Sequence, residues 1–193
     1  VLPAIDGESN ERLFDMCREY GDYVVPLMGL HPTSVNENPD WRSDLQRVRE
    51  YLQHPPQGID RFYGVGEIGL DLYWSQDFYR QQREVLHAQL ELALQYDMAV
   101  AIHTRSAYKE MVDAVATYRG RGLRGVFHAY ASDVDMAHKL LRCGDFVFGV
   151  GGVVTFKNGG VAEVVRELPA ELLLLESDCP YLTPVPFRGK RNE

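Results

Sequence analysis

The sequence predicts an α/β fold, and within that class a (β/α)8 TIM barrel. Three observations carry the prediction. Short apolar runs alternate with longer amphipathic stretches along the whole chain, the order expected of strands crossing over helices into a parallel sheet. The strand candidates are apolar throughout rather than every second residue, so both faces are expected to be buried. Most of these runs lead directly into a chemically capable side chain. That arrangement suits a barrel, whose active site gathers at the C-terminal ends of many strands. An open sheet uses fewer strands, around one switch point.

Taken in order, "VLP" at the start reads as a fragment of a strand, and residues 9–20 as a helix with Ser9 at its N-cap. Residues 23–30 form the next strand candidate, in which "PLMGLHP" reaches His31. A helix over 41–52 follows, then a strand over 62–65 where "FYGVGEIGLD" delivers Glu67. The longest helix is expected over 77–96, with Leu86, Leu90, Ala93 and Leu94 on one face. "AVAIHTR" gives a strand over 99–102 ending at His103 and Arg105, followed by a helix over 107–118. "GVFHAY" gives a strand over 125–127 ending at His128, and a helix over 132–141 with Ser132 at its N-cap. A strand over 146–150 enters the glycine-rich "GVGGVVTFKNGG", and a helix over 161–168 precedes the last strand, 172–175. Those four leucines, expected to be buried on both sides, run into Glu176, Ser177 and Asp178.

The 193 residues suffice for one sizeable core, and no linker or low-complexity segment divides them, so a single domain over 1–193 is expected. A complete barrel takes about 250 residues, so this one is expected to be incomplete at both ends. The net charge of −8 argues against a surface that coats nucleic acid. It leaves room for an enzyme whose cations collect at one site. Cys17, Cys143 and Cys179 are odd in number and lack metal-finger spacing, which suggests reduced thiols and a cytoplasmic setting. No apolar run is long enough to cross a bilayer.

Glu67, His103, His128 and Asp178 form the chemical constellation. They stand tens of residues apart, so no local helical metal motif joins them. Strand ends converging on one barrel mouth can. Mixed nitrogen and oxygen donors suit zinc, manganese or similar divalent ions, and a carboxylate can bridge two ions that clamp the attacking and leaving oxygens. Each residue also has a structural reading: a hydrogen-bonded strand-end histidine, or a carboxylate capping a turn. His54, His87 and His138 read as structural or solvated. Arg105, two residues past His103, points the same way in an extended chain and can hold a phosphate oxygen, or else form a rim salt bridge. The glycine-rich stretch with Lys157 reads as an anion-approach loop or as a flexible turn.

The motifs "VGEIGLD", "IHTRSA", "FHAYAS", "GVGGVVTFKN" and "LLLESDCPYLTPVPFRGKRNE", with "GLHP" and the opening "VLPAIDGESN", resemble in order those of the TatD-like metal-dependent deoxyribonucleases. The resemblance covers the whole chain. It implies a TIM barrel of the metal-dependent hydrolase type with two divalent ions, Zn, Mn or Mg. By that resemblance Glu67 is the bridging carboxylate, His103 and His128 ligate one metal, and Asp178 lies beside the other. His31 lies near the pocket without being a primary ligand. A His-x-His strand, which supplies two further ligands in the family, is not present in this sequence, and neither is the family's final helix. Ser177 stands where threonine is usual and Phe187 where histidine is common.

The expectation is therefore exonuclease-like hydrolysis of DNA, single-stranded or at its ends, by a metal-activated water. Asp178 and Glu67 are the expected catalytic carboxylates, and Arg105, His31, Lys157 and Arg188 are expected on the substrate side, with Lys190 and Arg191 adding charge. The protein is expected to act away from membranes as a monomer or weak oligomer. Two other readings remain open: a metal-dependent ester or amide hydrolase acting, for example, on aminoacyl-tRNA, and an inactive fragment or partner-binding module.

Overall fold

The computed structural model describes residues 1–157 and 160–192; Asn158 and Gly159 of the glycine-rich stretch and the terminal Glu193 lie outside them. The chain divides into two compact units, Val1–Ala107 and Tyr108–Glu193.

The first unit runs β1 (Leu2–Pro3), α1 (Asn10–Glu19), β2 (Pro26–Leu27), a 3-10 turn at Pro32–Ser34, α2 (Trp41–Gln53), β3 (Gly64–Asp71), α3 (Tyr79–Gln95) and β4 (Ala99–Arg105). All its strand pairs are parallel: β1 with β2, β3 with β4, and a single bridge from Met28 to Val65. The expected strand over 23–30 shrinks to two residues. Its first part is a turn instead, in which the Tyr23 and Val24 amides close back on the Tyr20 carbonyl. In contrast, β3 runs well past the expected 62–65 and is buried at all eight positions. Three glycines and two carboxylates disguise it in the sequence. They belong to it because the strands lie very close: Gly69, at φ +154°, faces the His103 carbonyl at a distance no Cβ would tolerate.

α3 covers this sheet with Val85, Leu86, Leu90, Leu92 and Ala93, and adds two fully buried glutamines. Gln82 accepts from the Asp71 amide and donates to its carbonyl; Gln89 does the same for Leu30. Each amide thus extends the sheet's hydrogen bonding by one side chain, satisfying backbone groups that burial would otherwise orphan. Ser9 occupies the expected N-cap position of α1, but its hydroxyl bonds the Asp6 backbone and makes no capping bond to the helix.

The second unit runs α4 (Tyr108–Ala116), β5 (Arg124–Phe127), α5 (Val134–Leu141), β6 (Asp145–Val150), α6 (Val161–Glu167) and β7 (Leu173–Leu175). β5, β6 and β7 pair in parallel in that order. Phe127, Tyr130, Phe146 and Phe148 pack as a buried aromatic group, with ring centroids 4.7–6.0 Å apart, within the range of favourable aromatic pairing. The cap of α5 is Asp133, which accepts from the Met136 amide at 2.8 Å, one residue beyond the expected Ser132. The leucines of β7 are not buried on both sides: Leu174 is 46% and Leu175 86% exposed. Among the described residues β7 pairs along one edge only, with β6.

Candidate metal centre

In the first unit, three side chains offer donor atoms within 4.8 Å of one another: His31, Glu67 and His103. Glu67 stands midway along β3 and His103 near the end of the neighbouring β4, so parallel pairing brings the two together across the sheet. The Glu67 Oε1 atom lies 3.2 Å from His103 Nδ1 and 3.7 Å from His31 Nε2. The two imidazoles meet edge to face, 4.5 Å between centroids. His31 belongs to this donor group, although the sequence places it on the substrate side. At its other nitrogen, Nδ1 accepts from the Thr33 amide at 3.2 Å and lies 2.7 Å from Thr33 Oγ1, which fixes the ring with Nε2 toward Glu67.

The remaining nitrogen of His103 meets Asp71, with Nε2 to Oδ2 at 3.0 Å. This carboxylate orients the ring and raises its basicity, as carboxylates behind metal-binding histidines do. Burial alone would lower the pKa of His103, but the hydrogen bonds and charges of Asp71 and Glu67 outweigh it and the net shift is upward. Asp71 moves the opposite way. Burial pushes its pKa up, but the bond from His103, the Tyr73 amide and the charges of His103 and Arg105 hold it below the ordinary carboxylate value.

The second unit holds another histidine–carboxylate group. His128 sits just past β5, and the chain beyond β7 supplies both of its partners. Nδ1 lies 2.8 Å from Glu176 Oε2, and Nε2 lies 2.7 Å from Asp178 Oδ1. Glu176 also accepts from the Ala129 amide. Room for its carboxylate is made by Gly149 of β6, where an added Cβ would collide with the Glu176 carboxylate. The glycine-rich stretch thus has a local role that its composition did not reveal.

The structure therefore brings Glu67 together with His103, and His128 together with Asp178. The basic candidates are not members of these pairs. Arg105 is exposed and lies over the Tyr73 ring at 3.7 Å. Lys157 is exposed in a turn. Arg188 is exposed and covers Phe156 at 4.2 Å. The tail around it is pinned back by Asn192, which bonds the Pro180 carbonyl, the Tyr181 carbonyl and Ser177 Oγ.

Sequence reasoning missed Asp71 and Glu176. Both signals were present: Asp71 lies four residues after Glu67, on the same face of an extended strand, and Glu176 lies two before Asp178.

The donor chemistry fits a divalent ion. His31, Glu67 and His103 bring two imidazole nitrogens and a carboxylate oxygen within 4.8 Å of one another, the mixed set that zinc, manganese and related ions take. All three cysteines are free thiols, and none belongs to these groups. Among the described residues no helix is long and apolar enough to cross a membrane.

Comparison with known proteins gives consistent results. The profile described as "TatD related DNase" matches residues 1–193. The "Uncharacterized metal-dependent hydrolase YabD" of Bacillus subtilis (strain 168) is 33% identical over 194 residues, covering 100% of this chain and 72% of that protein. The crystal structure of YJJV, described as a TATD homolog from Escherichia coli K12, superposes with a TM-score of 0.85 at 28% identity, covering 99% of this chain and 71% of that one. An amidohydrolase from Saccharomyces cerevisiae shares the fold, with a TM-score of 0.79 at 20% identity over 97% of this chain and 66% of its own.

Proposed function

The chain belongs to the TatD related DNase family, and on that premise we propose that it is a metal-dependent hydrolase cleaving phosphodiester bonds in DNA. The observation that carries this reading is the His31, Glu67 and His103 donor group, buried at the junction of β3 and β4 with Asp71 behind it. His31, Glu67 and His103 would hold one ion; His128 and Asp178 would contribute to holding a second. When bound, such ions act as Lewis acids on the phosphoryl oxygen and lower the pKa of water.

The chain's own residues do the rest. Asp71 fixes the His103 ring, so its Nδ1 faces Glu67 rather than solvent. Glu176 fixes the His128 ring in the same way, through Nδ1. Asp178 accepts the proton of the attacking water at Oδ1, beside His128 Nε2, with which it shares a 2.7 Å contact. The Arg105 guanidinium steadies the anionic substrate and the charge that develops on phosphorus.

The test compares substrates on one preparation stripped with chelator. A labelled single-stranded oligonucleotide is expected to be shortened after Mn²⁺ or Zn²⁺ is restored and to stay intact without it. Hydrolysis of an aminoacyl ester with no action on the oligonucleotide would replace this reading with the ester hydrolase. No turnover of either with any divalent ion would reject both.

A further inference from the structure

The loop that leaves β3 exposes two large aromatic rings next to the candidate metal residues. Tyr73 is 55% and Trp74 68% exposed. Their rings meet edge to face at 5.0 Å, and the Arg105 guanidinium lies 3.7 Å from the Tyr73 centroid and 5.4 Å from that of Trp74. The group is anchored. The Tyr73 amide donates to Asp71 Oδ1 at 3.0 Å, and Asp71 Oδ2 holds His103. The Leu72 amide donates to the Arg105 carbonyl. Neither ring is used by the core, so both rings of the pair are available at the surface. The Arg105 charge acts on Asp71, which is itself occupied by His103 and the Tyr73 amide.

We propose that Tyr73, Trp74 and Arg105 form a stacking platform for unpaired bases, so that the ligand is single-stranded nucleic acid. This rests on the phosphodiesterase reading above and adds a base-binding subsite to it. Flat aromatic faces accept any base, and a guanidinium held against them supplies both stacking and a phosphate contact. An apolar peptide would use the rings and leave the cation idle. Duplex DNA keeps its bases stacked inside, away from such a surface. Because the chain as a whole is acidic, with net charge −8, attraction to the strand has to be local, and Arg105 provides it.

Only two tryptophans are present, and Trp41 is 5% exposed, so fluorescence quenching reports on Trp74. The intact chain, held in chelator to prevent cleavage, is titrated with single-stranded hexathymidylate and with an abasic strand of the same length. Thymidylate is expected to quench Trp74 and to bind roughly 10- to 100-fold more tightly than the abasic strand. Binding followed by a label on the oligonucleotide is expected to weaken by a similar factor in Trp74→Ala and Tyr73→Ala, and to be retained in Trp74→Phe, which keeps a ring and controls for folding. Equal affinity for both strands, unchanged affinity in Trp74→Ala, or tighter binding of an aromatic peptide than of thymidylate would overturn the platform. Its failure is separable from that of the parent reading. Quenching without metal-dependent cleavage would leave the platform and remove the nuclease; cleavage with unchanged KM in Trp74→Ala would do the reverse.

Discussion

Asp71 is where a single residue is expected to matter most without being a proposed ligand. Its bond to His103 Nε2 fixes the ring that shares Glu67 with His31. Asp71→Asn is expected to weaken divalent binding about 10- to 100-fold, the usual loss when a carboxylate behind a metal-binding histidine is removed; metal titration calorimetry checks it. The same pair sets a pH dependence. His103 is shifted up from 6.5 and Asp71 down from 3.8. For the metal-free chain, the raised imidazole contributes stability that is full below 6.5 and is lost as pH rises through its folded value. The lowered carboxylate contributes stability that is full above 3.8 and is lost as pH falls through its folded value. The pair therefore stabilises most in the window between, and urea unfolding against pH is expected to lose that window in Asp71→Asn. Protons compete with metal for His103, so divalent affinity is expected to begin falling at a pH above 6.5 as the solution is acidified.

At the scale of elements, α3 acts as a clamp as well as a cover. Gln82 and Gln89 complete the hydrogen bonding at Asp71 and Leu30, the neighbours of both halves of the first donor group. Gln89→Leu would keep the volume and leave a buried amide and carbonyl unsatisfied, at about 2–4 kcal/mol; denaturant unfolding measures it. A smaller effect would show that the strand end relaxes into solvent. Gly149→Ala in β6 is expected to push Glu176 away from His128 and the Ala129 amide, lowering turnover more than stability. Most elements were legible in the sequence because their apolar periodicity survives at each position. The exceptions have physical causes. β3 was cut short in the reading because Gly66, Glu67 and Gly69 look like a strand ending, yet close parallel packing demands them. The stretch over 23–30 reads as one strand from its apolar residues, but hydrogen bonds to the Tyr20 carbonyl turn its first half into the close of α1. Asp71 and Glu176 stand in legible positions beside Glu67 and Asp178, but the histidines they hold lie tens of residues away, so the pairing itself went unread.

For the whole molecule, the barrel-type α/β fold read from the sequence is the fold shared with the solved TatD homolog, and the expected behaviour follows from charge. A chain of net charge −8 that gathers His31, Glu67 and His103 into one donor group and sets His128 between Glu176 and Asp178 is expected to be stabilised by divalent ions. A 100-fold excess over Kd at one site adds about 2.7 kcal/mol, visible as a rise in Tm that chelator reverses. With few exposed cations near substrate, oligonucleotide binding is expected to depend only shallowly on salt, about −0.7 in log–log slope per phosphate contacted. The most direct test of the central claim is calorimetric titration of Mn²⁺ into the stripped protein, paired with oligonucleotide cleavage, for the unaltered chain and for Glu67→Gln. The account predicts that Glu67→Gln keeps its fold by circular dichroism yet loses most of the divalent affinity and the metal-restored cleavage together. A Glu67→Gln chain that binds Mn²⁺ as tightly and cuts as fast as the unaltered one would contradict it.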